Sequence, residues 1–126
     1  MVDLRVLIFS RKSENQAELL RIIRSLPPEL TQDMETCCAS DYDDLRRDLV
    51  KTAYDMVIVS EPGAYGMEVC IGIRKISTRV ALAWFSDDPA FAAQSYRLNC
   101  TYFAELPPTE RTVGNVFSRM AEHKQR

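Results

Sequence analysis

The sequence predicts one α/β domain in which a doubly wound sheet of five parallel strands carries helices on both faces. Three observations lead to this fold class. Short apolar runs alternate with amphipathic segments about five times along the 126 residues. The predicted connections are short, and the predicted strands are continuous apolar runs, which is typical of parallel strands buried on both faces. We expect this single domain to span residues 1–126.

The first half of the chain contains predicted strands at residues 4–10, 34–40 and 55–60 and predicted helices at residues 13–26 and 41–54. Ser13 is the expected cap of the first helix, which ends at Pro27 because proline cannot continue the backbone hydrogen bonds. Asp41 or Ser40 is the expected cap of the second helix. The inner stripe of that helix is expected to comprise Leu45, Leu49 and Val50.

The second half continues the alternation, with a loop at 61–66, helices at 67–76 and 87–98, strands at 79–86 and 100–106, and a last helix after Pro108. Asp87, Asp88 and Pro89 open the 87–98 helix, because carboxylates there accept hydrogen bonds from free N–H groups and proline suits a first turn. The last helix carries apolar residues at helical spacing, namely Val113, Val116, Phe117 and Met120. In such a sheet, sites form at the carboxyl ends of the strands.

Composition excludes several classes of function. A net charge of -2 argues against a nucleic-acid-binding surface over the whole domain, because phosphate binding requires an excess of basic residues. No apolar run approaches the roughly 18 residues that a membrane span needs. The start of the chain, MVDLRVLIFSRK, lacks the features of a signal peptide. We therefore expect a cytoplasmic protein with no membrane segment and no direct nucleic-acid binding.

The cysteines and the single histidine do not predict a metal site. Cys37, Cys38, Cys70 and Cys100 show no C-x-x-C spacing, and the adjacent pair should point to opposite faces of a strand. We expect all four to be small buried hydrophobic residues in a reducing compartment. His123 lies in the polar tail with no second histidine to join it.

Two segments resemble bacterial response-regulator receiver domains. YDMVIVS, a Pro-Gly loop and GMEVCIGIRKI are similar to the central strand, loop and helix of that family. ALAWFSDDPAFAAQSYRLNCTYFAELP is more specific, and is similar to the receivers that precede LytTR DNA-binding domains. In it a strand ending in serine precedes a helix with an aromatic-x-Leu-Asn ending, and an aromatic strand with a closing proline follows. The resemblance extends from about Leu4 to about Met120 and implies a flavodoxin-like (CheY-like) sheet of strand order 2-1-3-4-5.

The resemblance also implies a phosphorylation site that this sequence has lost. Working receivers carry an acidic pair after the first strand, an acceptor Asp after the third, a Ser or Thr after the fourth and a Lys after the fifth. The carboxylates hold Mg²⁺ during phosphoryl transfer. The corresponding residues here are, in order, Ser10 and Arg11, Ser60, Ser86 and Leu106. The loop is also shortened, since Pro62 stands about two residues early. We expect no bound Mg²⁺, no cofactor and a degenerate pocket around Ser60.

Side chains at the strand ends allow more than one interpretation. Glu61 could mimic a phosphorylated acceptor, but ordinary exposure favours a solvated loop carboxylate. Asp87 and Asp88 could suggest a metal, but their place at a helix start favours capping. Arg11 could bind an anion in the crevice with the three serines, or the crevice could be an inert remnant. The predicted degenerate pocket comprises Ser10, Arg11, Glu61, Ser86 and Leu106.

The family resemblance implies signal transduction of the two-component or phosphorelay type. The lost chemistry predicts a pseudo-receiver that is not an enzyme and that acts through a protein partner, with a second copy as one candidate. Phe103 occupies the family's switch-aromatic position, and we expect it to be fixed in the core. The predicted contact surface is the last helix–strand–helix face, with candidate residues Phe91, Gln94, Ser95, Tyr102, Glu105, Arg111, Asn115 and Arg119.

Three alternatives remain open at this point. The chain could be the receiver part of a LytTR-type transcription regulator without its DNA-binding domain. It could be a receiver that is phosphorylated on an unusual acceptor. It could also be a flavodoxin-like protein that binds a small molecule or an anion at the crevice of Ser10, Ser60 and Ser86.

Overall fold

A computed structural model describes residues 4–124, with side chains described as far as Glu122, so the side chain of His123 lies outside the described residues. The strands are β1 (Leu4–Phe9), β2 (Met34–Ala39), β3 (Met56–Ser60), β4 (Ala81–Ser86) and β5 (Tyr102–Glu105). The helices are α1 (Ser13–Ser25), α2 (Pro28–Thr31), α3 (Tyr42–Lys51), α4 (Gly63–Ile76), α5 (Ala92–Arg97) and α6 (Glu110–Lys124), with a 3₁₀ turn at Pro89–Phe91 before α5.

The five strands pair in parallel in the order β2-β1-β3-β4-β5, which confirms the predicted fold class and strand order. Every residue of β3 and β4 is buried, because these central strands are covered on both faces. No helix within residues 4–124 is long and apolar enough to cross a membrane.

Alternation along the strands builds two separate core layers. Val6 and Ile8 of β1 face one layer, which α1 and α6 cover, whereas Leu7 and Phe9 face the other layer, which α3 and α4 cover. The four apolar residues predicted for the last helix are all buried in the first layer, at 0–3% exposure. The sheet is therefore anchored from both sides, and its carboxyl edge is left to form the candidate site.

Four local predictions are wrong. Helix α4 begins at Gly63 rather than at residue 67, because a carboxylate distant in sequence satisfies the Gly63 amide. Ser13 is the first residue of α1 and does not cap it, since Lys12 occupies the cap position. Val50 is 69% exposed and does not belong to the inner stripe of α3. Residues 28–31, between the predicted helix at 13–26 and the predicted strand at 34–40, form the short helix α2 with Pro28 in its first turn.

The cysteines are less uniformly buried than predicted. Cys70 is buried and Cys37 and Cys100 are partly buried, but Cys38 is exposed. The reason is that β2 is an edge strand of the sheet, so the helices do not fully cover the face of β2 on which Cys38 lies. All four thiols are free.

Candidate functional site

The three serines that end neighbouring strands lie at the same edge of the sheet, as the parallel topology predicts. Ser10 follows β1, while Ser60 and Ser86 end β3 and β4, and all three are at most 1% exposed. Leu106 follows β5 and is partly buried, and its amide donates to the carbonyl oxygen of Ser86 at 2.9 Å. The degenerate pocket predicted from the sequence thus has its members on one edge.

Two of these hydroxyls are engaged in local hydrogen bonds. The Ser10 Oγ accepts from the Lys12 amide and from the Asn15 Nδ2, both at 3.3 Å. The Ser86 Oγ accepts from the Asp88 amide at 3.4 Å and lies 3.5 Å from the Asp87 Oδ1, to which it can donate. These bonds fasten the strand ends to the helices and turns that follow them.

Glu61 is buried and paired, so the expectation of a solvated loop carboxylate is wrong. Only 3% of Glu61 is exposed. Its Oε2 accepts from the Nε of Arg11 at 2.9 Å and from the Nη2 of Arg11 at 2.8 Å, while its Oε1 accepts from the Arg11 amide at 2.9 Å. The Glu61 amide donates to the carbonyl oxygen of Phe85, as part of the last pairing of β3 with β4, between Ser60 and Phe85. This bond places Glu61 directly after β3, from where its carboxylate reaches Arg11 after β1.

Tyr65 covers the guanidinium of Arg11. The Arg11 Cζ lies 4.3 Å from the centre of the Tyr65 ring, in the geometry of a cation–π contact. The side-chain hydrogen bond with Glu61 raises the pKa of Arg11 above its ordinary value. Because Glu61 already neutralises this cation at close range, the arrangement weakens the hypothesis that Arg11 recruits an anion.

Asp87 and Asp88 both satisfy helix N–H groups, but not in the same helix. The Asp88 Oδ1 accepts from the Ala90 amide at 2.9 Å, which confirms the predicted capping role. The Asp87 Oδ1 accepts from the Gly63 amide at 2.8 Å and therefore caps α4 instead. Asp87 thus joins the loop after β4 to the loop after β3.

The loop after Ser60 is packed so tightly that it requires glycine at position 66. A Cβ on Gly66 would overlap the carbonyl oxygen of Glu61 and would lie 3.3 Å from the Nε1 of Trp84. Trp84 is fully buried, and its Nε1 has no hydrogen-bond partner within the described part of the chain. The backbone carbonyl of Glu61 consequently faces the protein interior.

The crevice that remains is small. A cavity of about 180 Å³ is lined by Arg11, Lys12, Asn15, Glu61 and Pro62. Within residues 4–122 no group of three His, Cys, Asp or Glu side chains is placed to hold a metal ion. Mg²⁺ is held by one or two carboxylates together with water molecules. The donor set of the predicted pocket does not fit it, because its single carboxylate, Glu61, is bound to the Arg11 guanidinium and its other oxygen donors are hydroxyl groups.

The predicted contact face is only partly accessible. Glu105, Arg111, Asn115 and Arg119 are exposed, and Phe91, Gln94 and Tyr102 are partly buried. Ser95 is 7% exposed and its Oγ donates to the carbonyl oxygen of Ala92 at 2.7 Å, so its place among the contact residues is wrong. Sequence reasoning missed Tyr96, which is 87% exposed. Its position next to the inward-facing Ser95 on a short helix was the available signal.

Aromatic residues behind this face pack on both sides of β5, and two of them contact Trp84. Phe103 is partly buried and packs edge-on against Trp84, with ring centres 5.3 Å apart. Phe91 lies against the same indole at 5.5 Å. On the other side of β5, Tyr102 accepts a hydrogen bond from the Asn115 Nδ2 at 3.2 Å. Phe103 is therefore packed against the core, as expected from the absence of a hydroxyl group.

Several solved structures that are similar to this chain are response-regulator receiver domains. A signal receiver domain of an HD-domain-containing protein from Pseudomonas fluorescens is 15% identical, with 97% of each chain covered and a TM-score of 0.78. The receiver domain of AraT from Geobacillus stearothermophilus is 18% identical, with both chains fully covered (100%) and a TM-score of 0.77. The chain has the receiver fold.

A third similar structure is of a response regulator that was solved with Mg²⁺ and BeF. The response regulator TrrA from Thermotoga maritima, solved in complex with Mg²⁺ and BeF, is 14% identical, with 93% of this chain and 98% of that chain covered and a TM-score of 0.72. No protein-family model and no curated protein matches the chain. At these identities the likeness concerns the fold, and the chemistry must be argued from the residues of this chain.

We predict that the ion pair stabilises the strand ends. Replacing Arg11 with methionine removes the two guanidinium hydrogen bonds to the buried carboxylate of Glu61 and leaves it the Arg11 backbone amide, which should lower the free energy of unfolding. The double variant Arg11→Met/Glu61→Leu should recover most of this loss, because it removes the unpaired buried charge. Urea unfolding of the purified variants measures both values.

Arg21→Met is the matched control for this experiment. It breaks the Arg21–Glu18 pair, whose side chains are 65% and 48% exposed, so a much smaller loss is expected. Equal losses for Arg11→Met and Arg21→Met would contradict a structural role for the Arg11–Glu61 pair.

Proposed function

We propose that this protein is a pseudo-receiver: a signalling module of the two-component type that transmits information by protein–protein contact, without phosphorylation and without enzymatic activity of its own. The observation that carries the proposal is the guanidinium of Arg11 bound to the buried carboxylate of Glu61 at the strand ends. In receivers, carboxylates at this edge hold Mg²⁺ for phosphoryl transfer. Here a fixed cation of the protein itself pairs with the available carboxylate.

The electrostatics disfavour a divalent ion at this place. A Mg²⁺ ion at the carboxylate of Glu61 would lie within a few ångströms of the Arg11 cation, and like charges at that distance repel. Displacing Arg11 would also forfeit the hydrogen bonds of its guanidinium to Glu61 and its contact with Tyr65. Among the side chains that the structure describes, no histidine or carboxylate is hydrogen-bonded to the Ser60 hydroxyl, and a serine hydroxyl without such a base is a poor nucleophile.

The proposed contact surface is the face formed by α5, β5 and α6 at one edge of the sheet. It presents the aromatic ring of Tyr96 together with exposed charges of both signs, such as Glu105 and Arg119. Exposed tyrosine and arginine side chains are the types that most often contribute strongly to protein interfaces. A second copy of the chain is the simplest partner, since most soluble homo-oligomers pair one surface with itself.

A cytoplasmic location fits this function, as does a place upstream of a LytTR-type DNA-binding domain in a transcription regulator. Both belong to the proposal and rest on the resemblance of the 81–107 segment to receivers of that class. In this arrangement the receiver face would regulate an output domain without itself contacting DNA.

Incubation with acetyl phosphate and Mg²⁺, followed by intact-mass spectrometry, tests the absence of phosphorylation. We expect no phosphoryl adduct on the wild-type chain, because neither a metal site nor an activated acceptor is available. A phosphorylatable receiver treated in parallel controls for the reagent. An adduct that appears on the wild-type chain and disappears in Ser60→Ala would contradict the proposal.

Sedimentation analysis of the chain tests the contact surface. We expect concentration-dependent self-association that Tyr96→Ser weakens about ten-fold, because an aromatic residue at an interface centre commonly contributes more than 1 kcal/mol. The matched control is Val50→Ser, which removes an exposed apolar side chain (69% exposed) from α3, next to the opposite edge of the sheet. Equal effects of the two substitutions would exclude this face as the contact.

A further inference from the structure

Helix α5 is held to the domain by few apolar contacts. It has six residues, Ala92–Arg97, and only Ser95 among them is buried. The ring of Phe91, just before the helix, lies against Trp84, and Leu98, just after it, is partly buried in the same core layer. An element with so little buried apolar surface opens easily unless other contacts fasten it.

Arg74, in the last turn of α4, supplies such contacts. Its Nε donates to the carbonyl oxygen of Leu98 at 2.7 Å, and its Nη2 donates to that of Asn99 at 3.0 Å. Its Nη1 donates to the carbonyl oxygens of Val80 at 2.7 Å and Ser77 at 3.2 Å. One guanidinium thus joins the end of α4, the residue before β4 and the carboxyl end of α5.

Three of the four acceptors, the carbonyl oxygens of Ser77, Leu98 and Asn99, lie at the carboxyl ends of α4 and α5. The chain leaves α5 through Asn99, whose φ of 54° is in the left-handed region, so the Leu98 and Asn99 carbonyls cannot continue a helical ladder. A cation at a helix carboxyl end is also favoured by the helix dipole. The ion pairs of the described residues involve other arginines, so carbonyl groups rather than a carboxylate compensate the half-buried charge of Arg74.

We propose that Arg74 is the positioning residue that holds α5 in place. When its hydrogen bonds to the Leu98 and Asn99 carbonyl oxygens are lost, α5 detaches locally while the sheet stays folded. The inference rests on the proposed function for its significance, because α5 carries Tyr96 of the contact face. In that setting Arg74 determines how rigidly the face is presented to a partner. The experiment that tests the role of Arg74 uses the chain alone. Its outcome is therefore independent of whether the proposed contact face binds a partner.

Trp84 makes the position of α5 measurable. It is the single tryptophan of the chain, and it is fully buried between Phe91 and Phe103. The ring of Phe91, the residue just before α5, lies 5.5 Å from the indole, so the surroundings of Trp84 depend on where the start of α5 sits. Detachment of α5 should therefore expose the indole to solvent and to soluble quenchers.

The experiment compares Arg74→Gln with the wild-type chain by hydrogen–deuterium exchange and by acrylamide quenching of Trp84. We expect amides of residues 92–100 to exchange about ten-fold faster or more in Arg74→Gln, and quenching to increase, while amides of β3 remain protected. Arg74→Lys keeps the charge but reaches fewer carbonyls, and it should give an intermediate rate. Arg97→Gln removes the exposed arginine in the last turn of α5 and should leave both readouts unchanged.

Two results would overturn the proposal. One is unchanged exchange of residues 92–100 in Arg74→Gln; the other is a uniform acceleration that includes β3, which would indicate general destabilisation. If Arg74→Gln does not fold, the comparison of Arg74→Lys with Arg97→Gln decides in the same way. Faster exchange confined to residues 92–100 in Arg74→Lys supports the proposal, and exchange equal to that of Arg97→Gln overturns it.

Discussion

Arg11 and Glu61 join the carboxyl ends of β1 and β3 through one buried carboxylate, which accepts hydrogen bonds from both the side chain and the backbone amide of Arg11. A buried charge is tolerated only when it is paired and hydrogen-bonded. Glu61 stands directly after β3 and its carboxylate reaches Arg11, which stands just after β1. Gly66 then has to approach the Glu61 backbone more closely than any side chain permits.

The same principle recurs around the crevice, where polar groups are satisfied by neighbours within the chain. Asp87 caps the helix that follows β3, and the Ser10 hydroxyl accepts from the residues that begin α1. Away from the crevice, Arg74 satisfies the Leu98 and Asn99 carbonyl oxygens at the carboxyl end of α5 in the same way. At the strand-end edge, one ion pair and local hydrogen bonds engage these polar groups, which is the basis of the proposed pseudo-receiver function.

The sequence was sufficient for the parts of the structure that depend on local pattern. The strand order, the burial of the α6 residues and the shared edge of Ser10, Ser60 and Ser86 follow from periodicity, topology and the family resemblance. The burial of Glu61 could not be predicted, because its partner lies 50 positions away and ordinary exposure statistics favour solvent for a loop glutamate. The early start of α4 has the same cause, since the cap of Gly63 comes from Asp87, 24 positions later.

The central claim is that the Arg11–Glu61 pair closes the strand-end edge to a divalent cation. Titration of the ¹⁵N-labelled chain with MgCl₂, at constant ionic strength and followed by amide chemical shifts, measures this directly. The account predicts that the amides of Ser10, Arg11, Ser60 and Glu61 do not show saturable shifts, whereas the variant Arg11→Asp, which removes the cation and adds a carboxylate, gains them. Saturable shifts confined to those amides in the wild-type chain would contradict it.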